Sequence, residues 1–291
     1  MILLTLLFVL SLLCQTTAAQ SAFVDTSTLS VNVRMVEIYA SVVGGDGKPA
    51  RGLSVERFDV MEDGRRQTIT LFEPQTAALT TALLIDTTGS MTRRLPHVKN
   101  AIARLLEDMK PEDTVGLFSF TNQLTVLHPF GRDRTAVLRA LLGTRAAGRT
   151  ALYDSLAQLA HSMSGVSGKK AILLFTDGDD NASLLPADSV LNAVRQAGVP
   201  VYCIALDQSE SYSTLLKRLR EISQNTGGIA FTVRTPSDVP RAFQEITNDL
   251  QCLYLLGYYS GASSRTAWHR IQVSLPQLRG LKVRAKQGYW Q

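Results

Sequence analysis

Two carboxylates and three hydroxyls, spread over three short segments, are the residues of this sequence best suited to binding chemistry. The first segment, Asp-Thr-Thr-Gly-Ser, supplies Asp86, Thr88 and Ser90, while the second supplies Thr150 and the third supplies Asp177. All five side chains offer hard oxygen atoms, which are the ligands that Mg²⁺, Mn²⁺ and Ca²⁺ prefer in proteins. Because two carboxylates do not saturate the charge of such an ion, the set predicts a divalent-cation site with a coordination position open to an acidic ligand.

The sequence around these segments predicts how they are positioned. Ala82–Ile85 and Ala171–Phe175 are continuous apolar runs, typical of strands buried on both faces, and the first and third segments follow them directly. The second segment, Gly148–Thr150, precedes a run with helical spacing that begins at Leu152. In an open α/β sheet the loops beyond the carboxyl ends of the strands form the ligand crevice. We therefore expect the three segments to converge although they are far apart in sequence.

Strand and helix patterns alternate through the middle of the chain, from about residue 79 to 250. This order predicts an α/β fold with a doubly wound, mostly parallel sheet that helices cover on both faces. The further expected strands are 115–120, 124–127, 199–206 and 229–233. The expected helices are 98–109, 152–163, 188–196, 213–224 and a last helix opened by Ser237.

Both ends of the chain have strand patterns instead. Residues 26–74 contain expected strands at 31–43, 58–61 and 68–72, with Asp63-Gly64 as a hairpin turn between the last two. Residues 251–291 contain expected strands at 252–259, 268–275 and 281–285. A β segment on each side of an α/β core predicts one small β-rich satellite domain built from both ends, and two separate β extensions are the alternative.

The Asp-x-Thr-x-Ser segment resembles the Asp-x-Ser-x-Ser motif of the metal-ion-dependent adhesion site in von Willebrand factor type A domains. Thr150 and Asp177 match the threonine and the aspartate that the family carries in its second and third loops. The resemblance covers about residues 79–250. The flanking Leu-Gly-Tyr at 256–258 and Gly-Tyr-Trp at 288–290 resemble those of secreted bacterial proteins with such a domain. The resemblance implies a non-enzymatic module whose bound Mg²⁺, Mn²⁺ or Ca²⁺ accepts an Asp or Glu of a protein partner.

The resemblance also implies a role for each residue of the site. Thr88 and Ser90 bind the metal through their hydroxyls, and Thr150 binds it directly in a ligand-ready state. Asp86 and Asp177 act directly or through bound water.

The sequence departs from the family pattern at one of these positions and at the residue before Thr150. Threonine stands at position 88, where serine is usual, and Arg149 stands where glycine is common. Arg149 places a cation near the site, where it either repels the metal slightly or helps to attract an acidic ligand. With Arg93 and Arg94 it forms the expected ligand-binding rim.

Two other functions fit part of the sequence. The segment that begins at Asp86 also resembles the Asp-x-Thr-Gly-Thr motif of haloacid-dehalogenase-like phosphatases, in which this aspartate is a nucleophile and Lys169 or Lys170 binds phosphate. That reading leaves Thr150 and the β flanks unexplained, and the chain has no insertion large enough for the cap domain of such enzymes. The second alternative is a structural envelope protein in which a metal only braces loops.

The first nineteen residues predict export. An apolar stretch from Ile2 to Leu13 precedes a small-residue region that ends at Ala19, as in a signal peptide that covers residues 1–19. We therefore expect a secreted or periplasmic protein with no transmembrane segment after cleavage, because no later run reaches the length of about 20 apolar residues that a membrane span needs. Cys203 and Cys252 are left after cleavage, and the sequence does not decide whether they form a disulfide.

The charge of the chain does not indicate a nucleic-acid partner. The formal net charge is +5, but the basic residues are scattered in small groups. The densest group, Lys217–Arg220, has leucines at helical spacing and reads as a solvated helix face. The oligomeric state does not follow from the sequence.

Overall fold

The computed structural model describes residues 34–178, 180–206, 213–235, 238–261 and 267–290. The expected signal peptide and Ser237 lie outside the described residues. The described strands are β1 (Arg34–Val43), β2 (Asp59–Glu62), β3 (Arg65–Gln67), β4 (Leu71–Glu73), β5 (Leu79–Asp86), β6 (Thr114–Phe120), β7 (Leu124–Gly131), β8 (Lys169–Thr176), β9 (Val201–Leu206), β10 (Ala230–Val233), β11 (Leu253–Ser260), β12 (Trp268–Ser274), β13 (Lys282–Arg284) and β14 (Gly288–Trp290). The described helices are α1 (Leu95–Asp108), α2 (Arg134–Gly143), α3 (Leu152–Ser164), α4 (Ala187–Ala197), α5 (Ser213–Thr226) and α6 (Val239–Leu250), with short 3₁₀ turns at Val55–Arg57 and Gly89–Arg93.

A six-stranded sheet with the order β10-β9-β8-β5-β6-β7 forms the centre of the fold. All neighbouring strands are parallel except the edge strand β7, which runs antiparallel to β6. Residues such as Leu83 and Ile85 pack with α1, α2 and α6 on one face, while Ala82 and Leu84 pack with α3, α4 and α5 on the other. The doubly wound, mostly parallel α/β fold expected from the sequence is therefore confirmed.

Two four-stranded antiparallel sheets flank this centre, with the orders β13-β1-β11-β4 and β14-β12-β2-β3. Each sheet combines strands from both ends of the described chain, and β1 pairs with β11 from Arg34↔Ser260 to Ser41↔Leu253. Val36 and Ile38 of β1 face the second small sheet, whereas Tyr39 joins the core of the central sheet. The β-rich satellite expected from the two ends is thus present, and its first sheet is buried on both faces.

The expected strand 68–72 is wrong. The hairpin turn at Asp63-Gly64 is present, with φ angles of 48° and 79°, and β3 pairs with β2 as a short return strand. β4, which starts at Leu71, pairs instead with β11 in the other sheet. The backbone N–H of Thr70 donates to the carbonyl of Gly257 at 2.7 Å, because the chain has already crossed to the second sheet there.

The sequence analysis missed two elements, α2 and β14. Asp133 caps α2, since its carboxylate accepts a hydrogen bond of 2.9 Å from the backbone N–H of Ala136. Val137 and Leu141, one turn apart, bury the inner face of the helix. These two features are visible in the sequence, but the apolar stripe of α2 is narrow.

The two described cysteines, Cys203 and Cys252, are buried and not bonded to each other. The hydroxyl of Ser223 donates to the Cys203 sulfur at 3.3 Å, and burial raises the pKa of this thiol to about 12. Both thiols therefore act as small apolar groups of the core. Among the described helices, none has the length and apolar character needed to cross a membrane.

Candidate metal centre

The three segments singled out in the sequence meet at the carboxyl edge of the central sheet. Asp86 is the last residue of β5, and Asp177 follows directly after β8, the strand beside it. Backbone hydrogen bonds join the first segment to its neighbours: the N–H of Thr87 donates to the carbonyl of Phe120 at 3.1 Å, and the N–H of Ala147 donates to the carbonyl of Thr87 at 2.8 Å. The parallel register of the strands and these loop contacts fix where the side chains point.

Close contacts between oxygen atoms link the carboxylates of Asp86 and Asp177. Oδ1 of Asp86 accepts from the backbone N–H of Thr88 at 2.9 Å and from its hydroxyl at 2.7 Å. The Thr88 and Ser90 hydroxyl oxygens lie 3.1 Å apart, and Ser90 donates to Oδ1 of Asp177 at 2.6 Å. Four of the five expected site residues therefore form one cluster of oxygen atoms.

Thr150, the fifth expected residue, lies beside this cluster. A Cβ placed on Gly178 would be 3.8 Å from the Ser90 hydroxyl oxygen and 4.0 Å from that of Thr150, so both hydroxyls flank the same glycine. Asn181 holds the Thr150 backbone: its side chain accepts from the Thr150 N–H at 3.0 Å, and its own N–H donates to the Thr150 carbonyl at 2.9 Å. The Thr150 hydroxyl makes no hydrogen bond with any described residue and is available for another ligand.

The buried carboxylates give this cluster negative charge. The side chains of Asp86, Thr88, Thr150 and Asp177 are buried, whereas Ser90 is exposed at the mouth. Burial raises the pKa of Asp86, hydrogen bonds from Thr88 and Thr176 oppose that rise, and the nearby Asp177 charge adds to it. Two carboxylates held this close in a buried site favour the arrival of a compensating cation.

The three arginines expected at the rim lie in different settings. Arg94 is partly buried, and its guanidinium forms an ion pair of 2.5 Å with Oδ2 of Asp177. Arg93 is exposed beside the cluster. Arg149 is also exposed, and its guanidinium donates to the backbone carbonyl of Asn181. Arg94 is thus part of the cluster itself, while Arg93 and Arg149 lie around it.

The sequence analysis missed Thr176 as a member of the site. Its hydroxyl donates to Oδ2 of Asp86 at 2.7 Å, so both carboxylate oxygens of Asp86 are engaged. The sequence does contain a signal for Thr176. Thr176 ends β8 and Asp86 ends the neighbouring strand, so aligning the two apolar runs places these two residues side by side. Asn181 was missed as well, because no spacing pattern in the sequence indicates a contact between two separate loops.

The structure separates the lysines of the phosphatase alternative from Asp86. Lys169 and Lys170 begin β8, whereas the acidic cluster lies at its end, roughly 23 Å away along the strand. Lys169 donates to the carbonyls of Pro74 and Gln75, and Lys170 donates to the carbonyl of Val166. Neither lysine can contact a phosphate bound at Asp86.

The donor set itself fits a hard divalent cation. Within the described residues, no group of three or more His, Cys, Asp or Glu side chains could hold a metal ion, so a site built on two carboxylates needs further oxygen ligands of another kind. The cluster around Asp86 supplies hydroxyls together with two carboxylates, and magnesium sites with few protein ligands usually complete their shell with water.

Comparison with known proteins identifies the domain that carries this cluster. The profile of the von Willebrand factor type A domain matches residues 82–247, which is more than half of the chain. The chain belongs to the von Willebrand factor type A domain family. Domains of this family bind a divalent cation at the metal-ion-dependent adhesion site and serve as modules of protein–protein interaction, generally without enzymatic activity.

Relatives and solved structures agree with this assignment. Human inter-alpha-trypsin inhibitor heavy chain H4 is 25% identical over 200 residues, which cover 62% of this chain and 21% of that protein. The chain therefore spans about a fifth of the length of that relative.

The solved structures show the same fold. The von Willebrand factor type A protein from Catenulispora acidiphila has a TM-score of 0.54 at 15% identity and covers 89% of this chain and 74% of its own. Proximal thread matrix protein 1 of the mussel byssus, solved with a zinc-occupied MIDAS motif, has a TM-score of 0.51 at 18% identity and covers 60% of this chain and 48% of its own.

Proposed function

We propose that this chain is an exported protein-binding module that holds one divalent cation through Asp86, Thr88, Ser90, Thr150 and Asp177. The cluster of closely spaced oxygens from Asp86 to Asp177, with the Thr150 hydroxyl beside it, is the observation that carries the proposal. When bound, the cation supplies a coordination position for the carboxylate of an Asp or Glu on a protein partner. Secretion or a periplasmic location follows from the expected signal peptide at 1–19.

The residues of the site lie at different depths and have different roles. Asp86 and Thr88 are buried at the floor, and Thr176 fixes the orientation of the Asp86 carboxylate through its hydrogen bond of 2.7 Å. Ser90 is exposed at the mouth, where its hydroxyl faces both the cluster and solvent. A carboxylate from a partner would therefore approach on the Ser90 side, since the floor is closed by the sheet.

Magnesium, manganese and calcium are the cations that this donor set favours. All the donors are hard oxygens, and the site lacks the thiolate and imidazole ligands that select softer metals. The zinc-occupied motif of the mussel protein makes zinc the fourth ion to include in a comparison. Titration of the four ions in turn, at matched ionic strength, ranks their affinities directly.

Exposed basic side chains favour an acidic partner. Arg93 and Arg149 lie near the mouth without a carboxylate within ion-pair distance among the described residues, and Arg93 lines a crevice next to Ser90. Positive groups around a binding site raise the rate of encounter with a negatively charged ligand and weaken in effect as salt is added. Partner binding should therefore slow as the ionic strength increases.

A capture experiment tests the proposed function. The immobilised protein is exposed to an extract of its source cells with Mg²⁺, with a chelator, and with Mg²⁺ restored after chelation. We expect one set of partners that is lost on chelation, returns with Mg²⁺ and is absent from the Asp86→Ala variant. The matched control is Glu107→Ala, which removes an exposed carboxylate from α1 and leaves the cluster intact. Capture by the chelated sample and by Asp86→Ala at the level of the parent with Mg²⁺ would contradict the proposal.

The two alternative functions give different results in simple assays. A phosphatase would hydrolyse a generic phosphate ester and lose that activity in Asp86→Asn, whereas we expect no hydrolysis above the buffer rate. A protein whose metal only braces loops would bind Mg²⁺ and gain thermal stability without capturing a partner in a metal-dependent way. Mg²⁺ binding together with metal-dependent capture separates the proposed function from both.

A further inference from the structure

A second polar site lies at the other edge of the central sheet, where α4 ends and the satellite strands begin. It is a cavity of about 240 Å³, and its lining includes Arg34, Glu37, Arg195, Lys286 and Tyr289. β9 starts just after α4, so this cavity lies at the amino edge of the sheet, away from Asp86 and Asp177. No part of the proposed function uses these residues.

Lys286 is the unusual group of this cavity. Lys286 is only 7% exposed, and no described carboxylate lies within ion-pair distance of its ammonium group. Burial lowers the pKa of Lys286 to about 8, Glu37 opposes this shift, and the positive charges of Arg34 and Lys170 add to it. A buried lysine without a carboxylate partner is costly, since charges taken out of water are normally paired.

The other cations around the cavity do not find carboxylates either. Arg34 donates weakly to the carbonyl of Gln196 at 3.5 Å, and Arg195 donates to the neutral side chain of Asn225 at 2.7 and 3.2 Å. Glu37 is the carboxylate of the lining, and Lys170 already pairs with it at 3.1 Å. The cavity therefore gathers three cations whose charge the described protein leaves largely uncompensated.

Neutral groups provide partial compensation. The ring of Tyr289 faces the guanidinium of Arg34 at 5.9 Å and the ammonium of Lys286 at 5.8 Å. The carbonyl end of α4 carries a partial negative charge, and Lys286 lies close to Gly198 at that end. The alternative role of these residues is to cap the end of α4, and in that case the cavity between them would hold no ligand.

We propose that this cavity binds a small oxyanion with two or more negative charges, held by Lys286, Arg34 and Arg195. Phosphate, sulfate and small polycarboxylates share the required chemistry, because their oxygens accept charge-assisted hydrogen bonds from ammonium and guanidinium groups. A dianion matches three cations better than a single carboxylate does. The half-enclosed volume admits a small ion, and the Tyr289 ring closes one side of it.

Calorimetric titration of sulfate into the full chain tests the proposal, with chloride used to keep the ionic strength constant and divalent metals removed by dialysis. We expect saturable binding of one sulfate. Lys286→Met should weaken it by at least about tenfold, because one charge-assisted contact is lost. The matched control is Lys282→Met, an exposed lysine of β13 that should bind as the parent does. Parallel titrations of phosphate and citrate show which oxyanion binds with the highest affinity.

A second variant keeps the test decisive if Lys286→Met does not fold. Arg34 is exposed, so Arg34→Gln should fold normally and weaken sulfate binding in the same direction. Sulfate keeps its charge above neutral pH, whereas Lys286 loses its proton through a pKa of about 8, so affinity should fall between pH 7 and pH 9.5. No saturable heat, or equal affinity in the parent, Arg34→Gln and Lys286→Met, would overturn the proposal.

Discussion

Arg94 places its guanidinium 2.5 Å from Oδ2 of Asp177, a carboxylate that we propose as a metal ligand. The side chain of Asp177 is fully buried, so this ion pair compensates a charge that would otherwise lie unpaired in the protein. A divalent cation brought to the same cluster would lie close to the positive charge of Arg94. We therefore expect the arginine to stabilise the metal-free protein and to oppose metal binding.

The Arg94→Gln variant tests this opposition. We expect Mg²⁺ to bind more tightly, because a like charge is removed, and the metal-free protein to lose about 1–3 kcal/mol of unfolding free energy. Calorimetric titration of Mg²⁺ and denaturant unfolding without metal measure the two effects. If Mg²⁺ bound more weakly to the variant, Arg94 would instead be orienting Asp177 for the metal.

The sequence identified the chemical groups of the proposed cation site but not the contacts among them. The spacing of Asp86, Thr88 and Ser90 after a buried strand was sufficient to place three oxygens together, and strand order then brought in Asp177. Arg94 was expected at the rim because sequence spacing carries no information about the direction of a long side chain. The hydrogen bond from Thr176 to Asp86 depends on the register of two strands, which the sequence does not state.

Helix α6 is tied to the satellite strands through one buried carboxylate. Oδ1 of Asp249 accepts from the Ser41 hydroxyl at 2.6 Å, and Oδ2 accepts from the Tyr202 hydroxyl and the Arg284 guanidinium. These partners belong to β1, β9 and β13, so a single side chain joins the helix to the central sheet and to one satellite sheet. The position of the last helix is thereby fixed by strands from both ends of the chain.

Replacing Asp249 should loosen this junction. We expect Asp249→Ala to lower the unfolding free energy by roughly 2–4 kcal/mol, because it leaves buried polar partners without an acceptor. The matched control is Glu245→Ala, on the exposed face of the same helix, which should change stability by less than about 0.5 kcal/mol. Equal unfolding midpoints in denaturant for the two variants would show that Asp249 does not secure the helix.

Elements with a strong period were predicted, and elements defined by distant partners were not. β5 and β8 are continuous apolar runs because both of their faces are covered, which the sequence displays directly. The path from β3 to β4 could not be predicted in this way, since Leu71 pairs with Gly257 far along the chain. β14 has three residues, too few for a period, and it exists through its pairing with β12.

One satellite sheet packs against the central core with one face and against the satellite core with the other. Tyr39 packs into the central core while its neighbours Ile38 and Ala40 pack into the satellite core. One strand therefore belongs to both cores, so neither core is complete without it. We expect the described part of the chain to unfold in one transition, with the same midpoint by tryptophan fluorescence and by far-ultraviolet circular dichroism.

The pH dependence of stability should report the buried lysine at this junction. The pKa of Lys286 falls from an ordinary 10.5 to about 8 on folding. Between these two values the unfolded chain holds a proton that the folded chain has lost, so the unfolding free energy should rise with pH, by on the order of 3 kcal/mol for this group. Below pH 8 both states are protonated, and the dependence from Lys286 disappears.

Denaturant unfolding of the Lys286→Met variant from pH 7 to pH 10.5 isolates that contribution. The rise in unfolding free energy across this window should be smaller than in the parent and in the Lys282→Met control. The rise should not vanish, because the buried Lys169 has a pKa lowered to about 8 in the same way. Identical pH profiles in the parent and in Lys286→Met would mean that Lys286 keeps its ordinary pKa in the folded protein.

Calorimetric titration of Mg²⁺ into metal-free protein measures whether loops from distant parts of the chain build one cation site. We predict saturable binding of a single ion in the parent and in Glu107→Ala, and no binding in an Asp86→Ala variant that keeps the parent circular dichroism spectrum. Mg²⁺ bound with the same affinity and stoichiometry by Asp86→Ala would show that these loops do not form the cation site.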